Sequence, residues 1–401
     1  MSVNSDRPLD GLRVLELGQM LAGPFAGCML GYFGAEVIKI EPRGGDPLRN
    51  WRVLRDGTSL WWRSLGRNKK SVTLNLQTER GRELVRRLAA QSDILIENFK
   101  PGTMEKWGLG PDDLKKLRPD LIYARVSGYG QTGPYASKPG FASVCEAVGG
   151  LRYINGFPDR PPARPNLSLG DTLAGVHAVI GILLALVAQQ RHAHRKLGQV
   201  VDVAIYESVF NMLEGVVPEY DGAGVVRGPS GSTITGIVPS NTYLCRDDKY
   251  VVIGANGDSL FQRLMRAIGR ADLADDPRLA NNAGRVQHEK EIDDAIASWA
   301  RANDSATVLK TLDDISVPGG PIYSVADMAA DPHFNARGLF QEVTVGNERL
   351  KIPAILPHLQ DTPGRTEWAG PELGAHTDEV LGSLLSLSEA ERAALRAEGV
   401  I

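Results

Sequence analysis

The chain has 401 residues, 42% hydrophobic and 23% charged, with a formal net charge of −3. That length is ample for a large core and two or three domains, and the composition is that of an ordinary globular protein. A balanced mixture of charges excludes a general nucleic-acid binder, which carries a strong basic excess, but leaves room for a local basic pocket.

The first half alternates β-branched runs with helical patterns. RVLELG (13–18) reads as a strand, and AGPFAGCMLGYFG (22–34) as a helix entered through a Gly-Pro turn. EVIKIEP (36–42) and SVTLNL (71–76) are the second and third strands, the latter followed by a helix over ERGRELVRRLAAQ (79–91). DILIENF (93–99) and LIYARVSGYG (121–130) are the fourth and fifth. An uncharged apolar run, Leu173 to Ala188, predicts a long helix, and QVVDVAIYESV (199–209) a sixth strand entering another helix. Strand–helix alternation at this spacing predicts an α/β fold with a doubly wound, Rossmann-like parallel sheet. The apolar run contains Gly175, His177 and Gly181 and is short for a membrane span, so a buried core helix is the expectation.

Residues 221–241, DGAGVVRGPSGSTITGIVPSN, are rich in Gly, Ser and Thr and read as a linker or functional loop. YVVIGANGDS (250–259), a helix over LFQRLMRAIG (260–269) and helices from about 289 to 314 form a smaller α+β domain. The expected division is a large domain over 1–210, a linker and glycine-rich loop over 211–240, the small domain over 241–320, and a return linker with the C-terminal part of the large domain over 321–401. Cys28, Cys145 and Cys245 lie far apart and make no zinc spacing with the scattered histidines, so no metal is expected. With a polar N-terminus that lacks a signal-peptide pattern, they point to a reducing, cytoplasmic setting.

Among candidate functional groups, Asp171 follows Gly170 at the head of the apolar helix. Local sequence leaves two readings open: a helix N-cap, or a carboxylate nucleophile kept charged by the positive helix end, with Gly170 leaving room for a substrate. The glycines Gly18, Gly23, Gly27, Gly31 and Gly34 do not spell a dinucleotide fingerprint; they fit tight helix–sheet packing, or a nucleotide ligand at the sheet's carboxyl end. Arg43, Lys69, Lys70 and Lys106 at strand ends are surface charges or, together, phosphate ligands. No cysteine has the setting of a reactive thiol, and no serine triad stands out.

The sequence resembles the class III CoA-transferase family over nearly its whole length. The resemblance is carried by PLDGLRVLELGQMLAGPFAGCMLGYFGAEVIKIEP (8–42), GDPLR (45–49), NKKSVTLNL (68–76), DILIENFKPGTMEKWGL (93–109), VSGYGQTGPYASKPGF (126–141), LGDTLAGVHAVIG (169–181) and GQVVDVAIYESV (198–209), with DPHFNARGLF (331–340) and LGAHTDEVL (373–381) in the tail. It implies that Asp171 is the nucleophile and that coenzyme A is held at Arg43, Leu74, Asn98, Phe99 and Lys106. Pro42 and Leu21 depart from the formyl-CoA branch, where arginine and glutamine are found; Gln19 stands two residues before Leu21. It further implies an interlocked-ring homodimer and a closing loop at RGPSGSTITG (227–236). CoA thioesters serve as substrates without a prosthetic group or metal.

The stretches 138–171, 218–227 and 231–243 look most like the branch that uses succinyl-CoA and small dicarboxylates such as itaconate, malate or citramalate. Arg52, Arg164, Arg227, Ser232 and Thr233 are candidates for the distal carboxylate. Alternatives are transfer to formate, oxalate or hydroxymethylglutarate, or within mesaconyl-CoA. An α-methylacyl-CoA racemase needs an acid/base pair, and its histidine is missing from 138–150.

Overall fold

In the computed structural model, which describes residues 7–195 and 198–401, six parallel strands form the central sheet. They are β1 (Arg13–Glu16), β2 (Glu36–Glu41), β3 (Lys69–Thr73), β4 (Ile94–Glu97), β5 (Ile122–Ser127) and β6 (Val200–Ala204). Their order across the sheet is β3-β2-β1-β4-β5-β6, the doubly wound order with a topological switch between β1 and β4. All six expected strands are present. β3 begins at Lys69, two residues before the expected start, because two lysines sit inside the ladder.

Successive side chains alternate between two apolar cores. Leu15, Ile38, Val72 and Leu95 face one core, completed by Leu84, Val85 and Leu88 of a helix over Glu79–Ala89 and by the C-terminal helices Thr377–Leu385 and Glu389–Ala397. Val14, Val37, Ile94 and Ile96 face the other, completed by α1 (Ala22–Tyr32) and the long helix α2 (Leu169–Arg191). The outer edge of β3 is covered by sequence from far downstream. The Ser71 amide donates to His376 Nδ1 at 3.2 Å and the Thr73 amide to Thr377 Oγ1 at 3.0 Å.

The chain divides into two compact units. Of the described residues, the first holds 7–151, 165–195, 198–214 and 334–401; the second holds 152–164 and 215–333. Residues 152–164 and 321–333 thus cluster with the second unit. There, an antiparallel sheet of Ser240–Leu244, Tyr250–Gly254 and Gly319–Pro321 packs with Phe261, Ile292, Ile296 and Val308 from three helices. Residues 216–223, expected to be irregular, form a helix.

α2 differs from the buried rod that its composition predicts. Gly170, Ala174, Ala178, Ile182 and Ala185 are buried on one face, whereas Ile180, Leu183, Leu184 and Val187 are exposed within the chain. By length and composition α2 is also the one helix among the described residues that meets the criteria for a membrane span.

The glycines of α1 serve packing. A Cβ on Gly27 would lie 1.9 Å from Glu16 Oε2, so only hydrogen lets the helix approach β1. Gly27→Ala is expected to lower unfolding free energy by about 2–3 kcal/mol, because a displaced Glu16 must strain or leave its partners. Urea denaturation at pH 7 checks this.

Candidate active site

The switch point opens a crevice at the carboxyl ends of β1 and β4, the usual ligand position in such sheets. Two residues from the sequence reading close its floor. The Gln19 amide donates to Asn98 Oδ1 at 2.7 Å, and Asn98 Nδ2 donates to the Gln19 carbonyl at 2.8 Å. Met20 follows with φ of +65°, a conformation uncommon outside glycine. It is held there by Asp46, whose oxygens accept from the Met20 amide at 3.0 and 3.1 Å. The backbone amides of Gln19 and Met20 are therefore already engaged. Gln19 is among the residues lining the crevice.

Beneath this turn lies a chain of fully buried charges. Lys39 Nζ sits 2.8 Å from Asp46 Oδ2 and 3.2 Å from Glu16 Oε1, and also donates to the Gly18 carbonyl. Lys69 Nζ sits 2.8 Å from Glu16 Oε2 and donates to the Pro24 carbonyl at 2.6 Å. Arg49 forks onto Glu41 at 2.7 and 2.8 Å. Burial pushes the Asp46 and Glu41 carboxyls up, but Lys39 beside the first and Arg49 beside the second outweigh it and hold both below their ordinary values. This corrects the reading of Lys69 and Lys70 as phosphate ligands. Both lie at the start of β3, opposite its carboxyl end, and Lys70 pairs with Glu36 and Glu379.

Asp171 is the third residue of α2, and Ser168 is the N-cap residue. The N-cap reading of Asp171 is thus replaced by a place in the first helical turn, where negative charge is still favoured. The space beside Gly170 is occupied by protein: a Cβ there would lie 3.0 Å from Ile205 Cγ2 and 3.1 Å from Glu146 Cγ. Glu146, fully buried, accepts from the Gly170 amide at 3.0 Å and so positions the turn that carries Asp171. The sequence reading missed Glu146; its one legible signal was a lone carboxylate in the otherwise uncharged stretch FASVCEAVGG. Cys145 donates to the Gly128 carbonyl at 3.3 Å. Burial, then the charge of Asp171, pushes its thiol up to about 11, which keeps it protonated and inert.

Asp171 opens into a cleft of about 340 Å³ together with Gln19, Met20, Asn98, Phe99 and Lys100. No histidine is among the described residues lining it. His177 is engaged elsewhere, with the Leu173 carbonyl at 2.9 Å and Asn211 Nδ2 at 3.3 Å.

The remaining expected ligands follow the same edge of the sheet. Arg43 comes two residues after β2 and is exposed, with its guanidinium against Gly399. Leu74 follows β3, but its side chain is fully buried in the core, leaving only its backbone for a ligand. Phe99 stacks edge-on with Trp107 at 5.2 Å, and Lys106 is exposed at the end of a short helix. Of the distal-carboxylate candidates, only Arg52 is in the first unit. In the second unit Arg227 pairs with Glu219, the Ser232 hydroxyl donates to Asn241 Oδ1 at 2.6 Å, and the Thr233 hydroxyl donates to the Ser230 carbonyl at 2.9 Å. Arg164 is also in that unit.

A crevice-facing carboxylate on a helix N-terminus, in a doubly wound sheet without a dinucleotide fingerprint, agrees with comparison to known proteins. Residues 9–377 match the model of CoA-transferase family III, and the chain belongs to that family. It is an enzyme that transfers coenzyme A, with CoA thioesters as substrates. It is 48% identical to succinyl-CoA–D-citramalate CoA-transferase of Chloroflexus aurantiacus, over 98% of each chain. It is 34% identical to succinate–glutarate CoA-transferase of Agrobacterium fabrum, over 95% of this chain and 96% of that one. The fold superposes on a CaiB/BaiF family protein from Brucella suis with a TM-score of 0.84 and 34% identity, covering 94% of this chain and all of that one.

Asp46 and Glu41 have folded values below the ordinary 3.8 and 4.5, so their stabilisation is present above those values and is lost as pH falls through the lower folded ones. Unfolding free energy from urea titrations is expected to drop below about pH 4. In Lys39→Met that acid-side drop should shrink, while stability at pH 7 falls by about 3 kcal/mol because buried carboxylates lose their counter-charge.

Proposed function

We propose that this enzyme moves CoA from succinyl-CoA to a small dicarboxylate, with citramalate, malate and itaconate as the leading acceptors, through an aspartyl-CoA thioester on Asp171. The observation that carries this reading is the position of Asp171, in the first turn of α2 and facing the switch-point cleft with Gln19 and Asn98. The names of the relatives above support the choice of donor and acceptor class.

An Asp171 carboxylate oxygen attacks the thioester carbonyl. The carbon–sulfur bond breaks, leaving a mixed anhydride and CoA thiolate. The thiolate then attacks the aspartyl carbonyl, expels the first carboxylate as succinate and leaves aspartyl-CoA. The acceptor carboxylate attacks that thioester to form a second anhydride and thiolate. Attack of the thiolate on the acceptor's carbonyl yields the new acyl-CoA and restores Asp171. Each attack builds an oxyanion that needs a donor fixed in advance. The Gln19 carboxamide, on a backbone clamped by Asn98, is suited to that work.

Arg43 and Lys106, at the carboxyl edge beside β2 and β4, are suited to the phosphates of CoA, and Phe99 and Asn98 to its pantetheine side. We further infer a cytoplasmic homodimer of interlocked rings. Its support is the exposed apolar face of α2 at Ile180, Leu183, Leu184 and Val187, which a second chain would cover, and three buried free cysteines.

Intact-protein mass spectrometry after mixing with succinyl-CoA should show covalently attached CoA, mapped by digestion to the peptide holding Asp171. Asp171→Ala should lose both the adduct and at least about 10³-fold of turnover, as expected for removal of a covalent nucleophile. An active Asp171→Ala enzyme would refute the mechanism. Sedimentation at micromolar concentration should give a mass of two chains.

A further inference from the structure

A second cleft, of about 690 Å³, opens beside the first. Leu21 lines both. The second is also lined by Ser168 and Thr172, which bracket Asp171 on the first turn of α2. Most of its wall is apolar, with Phe25, Trp61 and Ile355 prominent. A carbon chain entering there would run along the turn that carries Asp171.

Five arginines lie between residues 49 and 67, and four are occupied. Arg49 is on Glu41, Arg55 on Glu348 and Arg63 on Glu372, while Arg67 donates to the carbonyls of Ser64 and Pro353. Arg52 differs. Its guanidinium lies 4.2 Å from the centre of the Trp61 ring at the wall of the second cleft, and among the described residues no carboxylate pairs with it. Its backbone has φ of +60°, an uncommon conformation for a long side chain and one that clusters at ligand sites. An indole beneath a guanidinium fixes its plane while leaving its outer N–H fork open to a carboxylate.

We propose that Arg52 is the specificity-determining residue of this enzyme, taking the distal carboxylate of the dicarboxyl substrate while the proximal carboxyl reacts at Asp171. The second cleft then holds the carbon skeleton between them. The assignment rests on the dicarboxylate reading given above. It explains how one cleft serves donor and acceptor alike, since succinyl-CoA and the acceptor both carry a free carboxylate.

The test compares succinyl-CoA with butyryl-CoA, which replaces the distal carboxylate by a methyl group at similar length. In the full-length wild type, kcat/KM should favour succinyl-CoA strongly. In Arg52→Gln that preference should fall about 100-fold, the scale of a lost charge-assisted pair. The fall should lie in the succinyl-CoA value, with butyryl-CoA within about threefold of wild type, a pattern that general damage to the fold would not give. Arg52→Lys should restore part of the preference. A preference retained in Arg52→Gln, or lost only in Lys351→Gln on the same cleft wall, overturns the assignment and leaves the dicarboxylate reading intact. A wild type with no preference for succinyl-CoA overturns both.

Discussion

The switch-point cleft depends on a lysine that never reaches solvent. Lys39 stands in the middle of β2 with Glu16 and Asp46 around its ammonium group and the Gly18 carbonyl above it. Through Asp46 it holds the left-handed Met20, and through Gly18 the exit of β1. Such a cluster adds little net stability, since desolvation consumes most of its attraction. What it contributes is position. Each charge requires its neighbours to be in place, so the turn carrying Gln19 has one arrangement. Asn98 then completes the clamp from the other side of the switch point.

The two walls of the cleft are thus fixed by different means. The Gln19 wall is set by buried ion pairs and a reciprocal amide bond. The Asp171 wall is set by packing, with α2 seated on α1 and the sheet, and its first turn tied by Glu146. The Asp171 wall rests on a helix, and the Gln19 wall is a turn held by its buried partners. This suits a reaction whose groups must be held in register.

The parallel sheet was legible because its strands are short, β-branched and evenly interrupted by helical patterns. Several exceptions share one cause: charged residues that read as solvent-facing lie inside. Lys69 and Lys70 read as surface charges or phosphate ligands at a strand end, yet they begin β3, because Glu16 lies inside to receive the first. Lys39 and Asp46 were visible within motifs, but nothing in the linear sequence shows that they meet. Asp171 was legible as a charge at a helix start, though its exact position needed the helix boundary at Ser168. Arg52 could be named as a candidate but not preferred, since only the structure shows the neighbouring arginines occupied and this one stacked on Trp61.

The covered edge of β3 has a consequence for the order in which the protein is made. A strand edge with open amides is a template for unwanted pairing. Here Thr73 and the residue that caps it, Thr377, are 304 positions apart. At the usual ~5–20 residues per second of synthesis, that edge waits roughly 15–60 s for its cover. During that interval the nascent sheet is open along one side, within reach of chaperones and of neighbouring nascent chains. Folding of the large unit therefore closes from its far end, and a ribosome stalled late in the message would release a sheet with its parallel strands formed and its flank bare.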